Sequence, residues 1–178
     1  AMPNTISAVH TNLGIAYTAV PTKGFENSEK TFSSIEWKPM DDTDAIRITE
    51  VLPDNKFGIT DKDGERHDWV EIYNFSNQPV SLLGYYLSDN SANPDKWAFP
   101  DVTLGSGEYL VVFLSKKDIT SGDELHASFG LSAKDEGIFL SSYDGMRMDA
   151  IYIPEELHSN VSIGRDEGGK ILYYALPT

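Results

Sequence analysis

The hydrophobic residues of this chain recur in short runs that have the spacing of β-strands. In AIRITEV (45–51), Ile46, Ile48 and Val51 are expected to face the same way. YLVVFL (109–114) is apolar on both faces, which is typical of a central strand buried on both sides. Further runs of this kind are WVEIY (69–73), GIFLSS (137–142) and MDAIYI (148–153).

Turn-forming residues separate these runs at short intervals. The turn signals are LPDN, DKDG, FSNQP, DNSANPD, LGSG, YDGM and DEGG. Only the stretch 115–128 leaves room for a helical turn. Many short strands broken by Gly, Pro, Asn and Asp indicate a sandwich or a barrel, so the predicted fold class is all-β.

The first part of the chain contains a repeat of its end. IAYTAVPT (15–22) matches ILYYALPT (171–178) at a spacing of 156 residues, and Asn4 aligns with Asn160 in the same register. Repeats at this spacing indicate tandem modules. We therefore expect residues 1–26 to be the C-terminal remnant of a preceding repeat, 27–44 a polar linker, and 45–178 one domain. The alternative is a chance match between two strand-like octamers.

A strand without a domain of its own needs a partner. If residues 15–22 are such a strand, they are expected to pair with an exposed sheet edge on this chain or on another chain.

Composition narrows the classes of partner. The formal net charge is −14, from 28 acidic and 14 basic residues, and no basic cluster is longer than Lys116-Lys117. Nucleic-acid binding and binding to anionic lipid surfaces are therefore disfavoured. No apolar run approaches the ~20 residues that span a bilayer, so direct membrane insertion is not expected. The absence of cysteine excludes thiol catalysis, thiolate zinc sites and disulfides.

DWVEIYN (68–74) places two acids around an apolar run. Carboxylates at positions i and i+3 of a strand point to opposite faces, so Asp68 and Glu71 cannot act together on one substrate unless a bulge intervenes. We interpret the segment as a structural strand, with Val70 and Ile72 facing the core and Asn74 beginning the turn that follows.

The loop DKDGERHD (61–68) offers the best set of metal ligands. Asp61, Asp63 and Glu65 provide three hard oxygen donors around Gly64, a set that calcium favours. The loop lacks the full Asp-x-Asp-x-Asp-Gly series and its distant glutamate. The alternative is a solvated acidic hairpin whose Asp-Gly step makes the turn.

Other catalytic patterns are not supported, and no enzymatic activity is expected. His10, His67, His126 and His158 have no metal-binding spacing, so a zinc site would have to be assembled from distant strands. GRDEGGKI (164–171) resembles the opening of a phosphate loop, but Ile171 lies where Ser or Thr must hold magnesium, and a strand follows. No Gly-x-Ser-x-Gly or Ser-x-x-Lys pattern occurs.

Aromatic residues provide a candidate sugar site. Trp97, with Tyr85 and the polar residue Asn93 nearby, is compatible with a glycan-binding platform, although most such aromatic residues in a sandwich of this size belong to the core. Trp37 lies in the predicted linker and is free to dock on either neighbour.

From 45 to 178 the chain resembles the lamin tail domain, the immunoglobulin-like module of lamins that also occurs widely in bacterial surface proteins. PTKGFEN (21–27) fits the Pro-Thr-x-Gly-x-x-Asn ending that is frequent in this family. The motifs that carry the resemblance occur in order: IRITEV, DKDGERHDWVEIYN, VSLLGYYLSD, KWAFP, LGSGEYLVVF, LHASFGLSAKDEGIFLSSYDG, MDAIYIP and VSIGRDEGG.

The resemblance implies an immunoglobulin-like β-sandwich and, in the absence of a heptad rod or basic tail, favours the bacterial versions over a nuclear scaffold. The expected function is a non-catalytic spacer, adhesion or protein-interaction module of a larger bacterial surface or secreted protein. A carbohydrate or cell-wall binding module is the alternative. No cofactor is expected apart from calcium in the 61–68 loop, and the expected location is extracellular or at the cell surface.

Overall fold

The computed structural model describes residues 7–11, 14–18, 38–39, 45–132, 137–142, 147–155, 157–166 and 169–175. Within these ranges the chain forms strands and no helix, which confirms the all-β fold class. The strands are β1 (Ser7–Thr11), β2 (Gly14–Thr18), β3 (Lys38–Pro39), β4 (Ile46–Leu52), β5 (Asp68–Asn74), β6 (Val80–Ser81), β7 (Tyr86–Ser88), β8 (Trp97–Ala98), β9 (Thr103–Leu104), β10 (Tyr109–Leu114), β11 (Leu125–His126), β12 (Gly137–Ser141), β13 (Arg147–Tyr152), β14 (Ser162–Arg165) and β15 (Ile171–Tyr174).

Two sheets form the sandwich. The larger has six strands in the order β11-β10-β5-β4-β14-β15, and the smaller has five in the order β3-β13-β12-β7-β8. Most neighbours are antiparallel, whereas β10–β11 and β13–β3 pair in parallel. A short pair, β6–β9, lies outside both sheets. This is the two-layer arrangement of an immunoglobulin-like β-sandwich.

A β-bulge in β4 explains the irregular spacing of its apolar residues. The register against β5 shifts between Ile48 and Glu50, so that Val51 lies opposite Val70. Without the extra residue Val51 would point away from the core. The bulge keeps Ile46, Ile48 and Val51 on one face, as the sequence predicts, and all three are at most 1 % exposed.

The core lies between the two sheets. Val70 and Ile72 of the larger sheet and Ile138 and Leu140 of the smaller one are fully buried in a single cluster. Burying an aliphatic side chain of this size contributes roughly 1.5–3 kcal/mol relative to leaving it exposed, so this interface is the main source of stability. DWVEIYN is therefore a structural strand, as predicted.

The outer face of the larger sheet is only partly covered. Trp69, Leu52 and Phe113 form a second, small cluster on that face. At the other end of β10, Tyr109 is exposed, so β10 is buried on both faces only in its second half. The prediction that 109–114 is buried throughout on both sides is therefore correct only for that half.

Asn74 closes β5 and organises the following turn. Its side chain is fully buried, and its amide Nδ2 donates to the carbonyl oxygens of Gln78, Leu104 and Gly105 at 2.8, 2.9 and 3.0 Å. Its Oδ1 accepts hydrogen bonds from the backbone N–H and the hydroxyl of Ser76. The asparagine thus joins three chain segments at one point.

The stretch 115–128 forms bends and a short strand instead of a helical turn. Lys116 and Asp118 have positive φ angles of 68° and 54°, which a right-handed helix cannot contain. His126 pairs instead with Ile119 in an isolated antiparallel bridge.

The N-terminal segments are described only in part. Residues 14–18 pair with 7–11 in an antiparallel hairpin, while 19–22 and Trp37 lie outside the described residues. Of the predicted linker 27–44, Lys38–Pro39 is described and pairs with β13, so at these two residues the chain has already joined the smaller sheet. Pairing of residues 15–22 with a sheet edge of the sandwich or of another chain stays a prediction.

Candidate functional site

Asp61 organises the acidic loop from a buried position. The residue is 4 % exposed, and its Oδ1 accepts the backbone N–H groups of Asp63 at 3.0 Å and Glu65 at 2.8 Å. Gly64, with a φ of 78°, permits the tight turn that brings these amides together. Backbone donors on one carboxylate oxygen leave the other, Oδ2, for a cationic partner.

That partner is Lys117, 56 residues further along the chain. Its ammonium nitrogen lies 2.5 Å from Asp61 Oδ2 and 2.7 Å from Glu65 Oε2, but 3.8 Å from Oδ2 of Asp63. The hydrogen bond between Lys117 and Asp61 lowers the pKa of Asp61 and raises that of Lys117. The structure therefore brings Asp61 and Glu65 together around a lysine and leaves Asp63 at the margin.

Two histidines join this acid–lysine cluster, His67 from the end of the same loop and His126 from β11. His67 Nε2 lies 3.2 Å from Asp61 Oδ2, and one ligand atom from each of Asp61, Glu65 and His67 lies within 4.8 Å of the others. The rings of His67 and His126 meet edge to face, with centroids 6.0 Å apart. Burial lowers the pKa of His126, which favours its neutral form. Sequence reasoning missed Lys117 and His126 because only tertiary pairing brings them to the loop, and it left His67 out of the ligand set although this residue lies in the 61–68 segment itself.

The cluster already has a cation between its two closest carboxylates. A calcium ion at Asp61 and Glu65 would have to displace the Lys117 ammonium, which anchors the 61–65 loop to the segment after β10. The geometry therefore favours a structural ion-pair network over the calcium site expected at Asp61, Asp63 and Glu65, and a comparison of melts with and without calcium would decide between the two.

The predicted sugar platform is split between core and surface. Trp97 is 3 % exposed, packs edge to face on Phe99, and donates its indole N–H to Asp118 at 3.1 Å. Tyr85 is half-buried against the same core, and Asn93 is exposed. Because the Trp97 ring is buried, it has no open face on which a sugar could stack. These three residues therefore do not form a stacking surface, and Trp97 is a core residue.

An aromatic cleft that sequence reasoning missed lies on the outer face of the larger sheet. It has a volume of about 650 Å³, and its walls include the rings of Tyr73, Phe75, Tyr109 and Tyr174. Tyr73 is the centre of this group, with its ring centroid 4.5 Å from Phe75 and 4.3 Å from Tyr109. The sequence indicated only that Tyr73 in DWVEIYN faces outward. That Tyr73 lies opposite Tyr109 follows from the β5–β10 register, which the sequence alone does not give.

One glycine shapes the far wall of the cleft. A Cβ atom on Gly164 would lie 2.7 Å from the ring of Tyr174 and 3.0 Å from the carbonyl oxygen of Thr49. Only glycine lets the ring of Tyr174 lie this close to β14, so the sequence at this position determines the shape of the cleft.

Polar side chains line the middle of the cleft. Glu50 and Glu71 are opposite each other in the β4–β5 register, at the bulge. Glu50 is 2 % exposed and accepts a hydrogen bond from Ser162, and Glu71 Oε1 accepts the hydroxyl of Thr49 at 2.6 Å. Burial raises the pKa of Glu71, and the Glu50 carboxylate adds to this shift. The bulge thus places two carboxyl groups beside exposed aromatic rings.

A second depression, of about 410 Å³, contains Asp68 near Lys56 and His158. Desolvation raises the pKa of Asp68 to about 6, although the backbone N–H of Asn55 donates to its Oδ1 at 3.3 Å. Asp68 therefore caps its strand as a carboxyl group that changes protonation near pH 6.

The described ends of the segment that resembles a phosphate loop pair with each other. Asp166 and Lys170 bracket it, with the backbone N–H of Asp166 donating to the Lys170 carbonyl oxygen at 3.1 Å. The described residues that follow Lys170 form β15, so a strand follows this segment, as the sequence predicts, and the described residues provide no helix N-terminus for a phosphate.

No helix in the described part of the chain could cross a membrane.

Comparison with known protein families agrees with the architecture of the sandwich. No curated protein sequence matches the chain. The family model of the lamin tail domain matches residues 39–154, which is more than half of the chain and confirms the predicted domain type. The chain therefore belongs to the lamin tail domain family, whose fold is immunoglobulin-like and non-enzymatic.

Proposed function

We propose that this chain is a non-catalytic immunoglobulin-like module of a larger bacterial surface or secreted protein. In that protein it acts as a spacer, adhesion or protein-interaction domain. The family supports a module of this general kind. The two-sheet core and the ion-pair network at the 61–65 loop suit a domain that keeps its shape while it presents surfaces to partners.

The observation that carries the proposal is a pair of hairpins that are separated by nearly the repeat spacing. Adding the repeat spacing of 156 to β1 and β2 gives residues 163–167 and 170–174. These nearly coincide with β14, Ser162–Arg165, and β15, Ile171–Tyr174, which also form an antiparallel hairpin. Only the second strands, β2 and β15, match in sequence, and the pairing registers differ by one residue, but both segments form antiparallel hairpins, which supports tandem modules in the parent protein.

The test is made on cells that produce the parent protein. Antibodies raised against residues 45–178 are expected to label intact cells, or the culture medium, without permeabilisation. The parent reading frame is expected to contain a further copy of the 45–178 pattern that ends at residue 26. Labelling only after permeabilisation, with no antigen in the medium, would contradict the proposed location and role.

A second candidate function is carbohydrate or cell-wall binding. The observation that favours it is the cleft on the larger sheet, where exposed aromatic rings lie beside carboxyl and guanidinium groups. This combination is typical of sites that recognise a polar ligand with apolar faces.

A further inference from the structure

Aromatic side chains remain exposed together at one end of the larger sheet. Tyr109 is 61 % exposed and Phe75 is 41 % exposed, and both contact the ring of Tyr73. The guanidinium of Arg47 lies over the Phe75 ring at 4.0 Å from its centroid. Single exposed aromatic residues are common, but a contiguous group that lines a cleft marks a surface for recognition.

We propose that this cleft binds a neutral carbohydrate chain. The rings of Tyr73 and Tyr109 pack against the C–H faces of successive sugar units, and Glu71 and Arg47 form hydrogen bonds with sugar hydroxyls. This inference rests on the second candidate function and assigns it to the outer sheet face instead of the Trp97 loop.

The chemistry of the cleft matches both parts of a sugar. A pyranose ring has an apolar face formed by C–H groups and a rim of hydroxyls that donate and accept hydrogen bonds. Tyrosine provides a rigid ring with a polar tip, so that it can meet both parts at once. The Thr49 hydroxyl donates to Oε1 of Glu71. The other carboxylate oxygen, Oε2, is a strong acceptor for a sugar hydroxyl.

The charge of the cleft favours a neutral ligand. Its three acidic residues, Glu50, Glu71 and Asp166, outnumber its two arginines, and the Arg165 guanidinium already forms an ion pair with Asp149 at 2.5 Å. The chain as a whole has a formal charge of −14. Uronic-acid polymers, teichoic acids and nucleic acids would therefore be repelled.

The position of the cleft favours a glycan over a peptide strand. Extended peptides usually add to a sheet edge, where unpaired backbone groups supply hydrogen bonds. The cleft instead lies on the face of the sheet, and its residues Glu71 and Tyr73 belong to β5, which pairs with β4 on one side and with β10 on the other. Recognition there depends on side chains, and the volume of about 650 Å³ falls within the range of small-molecule sites and suits a short oligosaccharide segment.

The test uses the whole 178-residue chain. Affinity gel electrophoresis with laminarin, xylan, mannan and a soluble cellulose derivative identifies a ligand, and calorimetry with the matching oligosaccharide measures its dissociation constant. Alginate is the anionic comparison. We expect saturable binding to a neutral glycan and none to alginate. Tyr109→Ala should weaken binding by about tenfold or more, as expected for loss of an aromatic contact.

Two variants separate the cleft from general effects. Tyr109→Leu keeps an apolar side chain on the strand but removes the ring, so it should bind as weakly as Tyr109→Ala and melt as the wild type does. Tyr152→Ala removes a tyrosine that is 53 % exposed on the smaller sheet, and its affinity should stay within about twofold of the wild type.

Three results would overturn the inference. They are the absence of neutral-glycan binding at millimolar ligand, glycan binding that Tyr109→Ala leaves unchanged, and preferential binding of alginate. A purified protein partner whose binding requires Tyr109, without any glycan binding, would also reject it and assign the cleft to protein recognition. None of these results changes the cell-labelling test, so failure here is distinguishable from failure of the proposed function.

Discussion

The carboxylate of Asp149 on β13 accepts the backbone N–H of Ile48 on β4 at 2.8 Å, which connects the two sheets of the sandwich. Ile48 is the last residue before the bulge in β4, where the register changes. The other oxygen of Asp149 accepts the Arg165 guanidinium at 2.5 Å and the N–H of Ala150 at 2.9 Å. One buried carboxylate thus satisfies the backbone at the bulge and binds the arginine at the end of β14.

Replacing Asp149 by alanine should destabilise the fold by about 2–4 kcal/mol, since it leaves the buried N–H of Ile48 without its acceptor and removes the carboxylate partner of the Arg165 guanidinium. Urea unfolding followed by tryptophan fluorescence measures the effect. Asp101→Ala, at an exposed position, is the matched control and should change the free energy of unfolding by less than about 0.5 kcal/mol. Equal midpoints for the two variants would show that the link between the sheets contributes nothing measurable.

Asn74→Asp should cost about 2–4 kcal/mol. The change keeps the Oδ1 acceptor for Ser76 but places an oxygen where Nδ2 now donates to three carbonyl groups. Thermal and urea unfolding measure the loss, and Asn77→Asp, at an exposed position in the same turn, adds the same charge as a control. If both variants unfold alike, the buried amide is not what holds the turn.

The strands and the core residues of this fold were predictable because alternation of apolar and polar residues fixes which face of a strand is buried. Val70 and Ile72 are buried as their spacing indicates. The bulge in β4 is detectable as the change of spacing from Ile48 to Val51. The half-open face of β10 was not predictable, since whether Tyr109 is covered depends on what lies over the sheet.

The candidate sites were less predictable because each is assembled across distant parts of the chain. Asp61 is recognisable as a loop carboxylate, but its partner Lys117 is 56 residues away. The Tyr73–Tyr109 contact requires the β5–β10 register, and the burial of Trp97 requires the closed core. Local patterns indicate which residue types can do chemistry, whereas strand pairing decides which of them meet.

Asp68 should make stability depend on pH between about 4 and 6. Burial raises its pKa from an ordinary value near 4 to about 6, so the folded state binds this proton more tightly than the unfolded state. The stabilisation is fully present below the unfolded pKa and is lost as the pH rises through 6. With allowance for solvent screening, the loss is roughly 1–2 kcal/mol.

Asp68→Asn isolates this effect because it keeps the acceptor for Asn55 and does not ionise. Urea unfolding at pH 4 and at pH 7.5 should give similar stabilities for wild type and variant at the lower pH, and a more stable variant at the higher pH. A constant difference across this range would contradict the raised pKa.

The final prediction concerns Lys117, whose ammonium lies between Asp61 and Glu65. Lys117→Met should lower the melting temperature, because it leaves the buried Asp61 carboxylate without its cation. Lys116→Met, at the adjacent exposed position, should not. The ion pair lowers the pKa of Asp61, so its contribution is present above the ordinary aspartate pKa and is lost as the pH falls through the lowered value. The two variants should therefore converge in stability at strongly acidic pH.

Because the lysine fills the space between the carboxylates, melts of the wild type in EDTA and in millimolar calcium should coincide. A rise of several degrees with calcium, abolished by Asp61→Ala combined with Asp63→Ala, would show instead that the loop binds the ion despite Lys117.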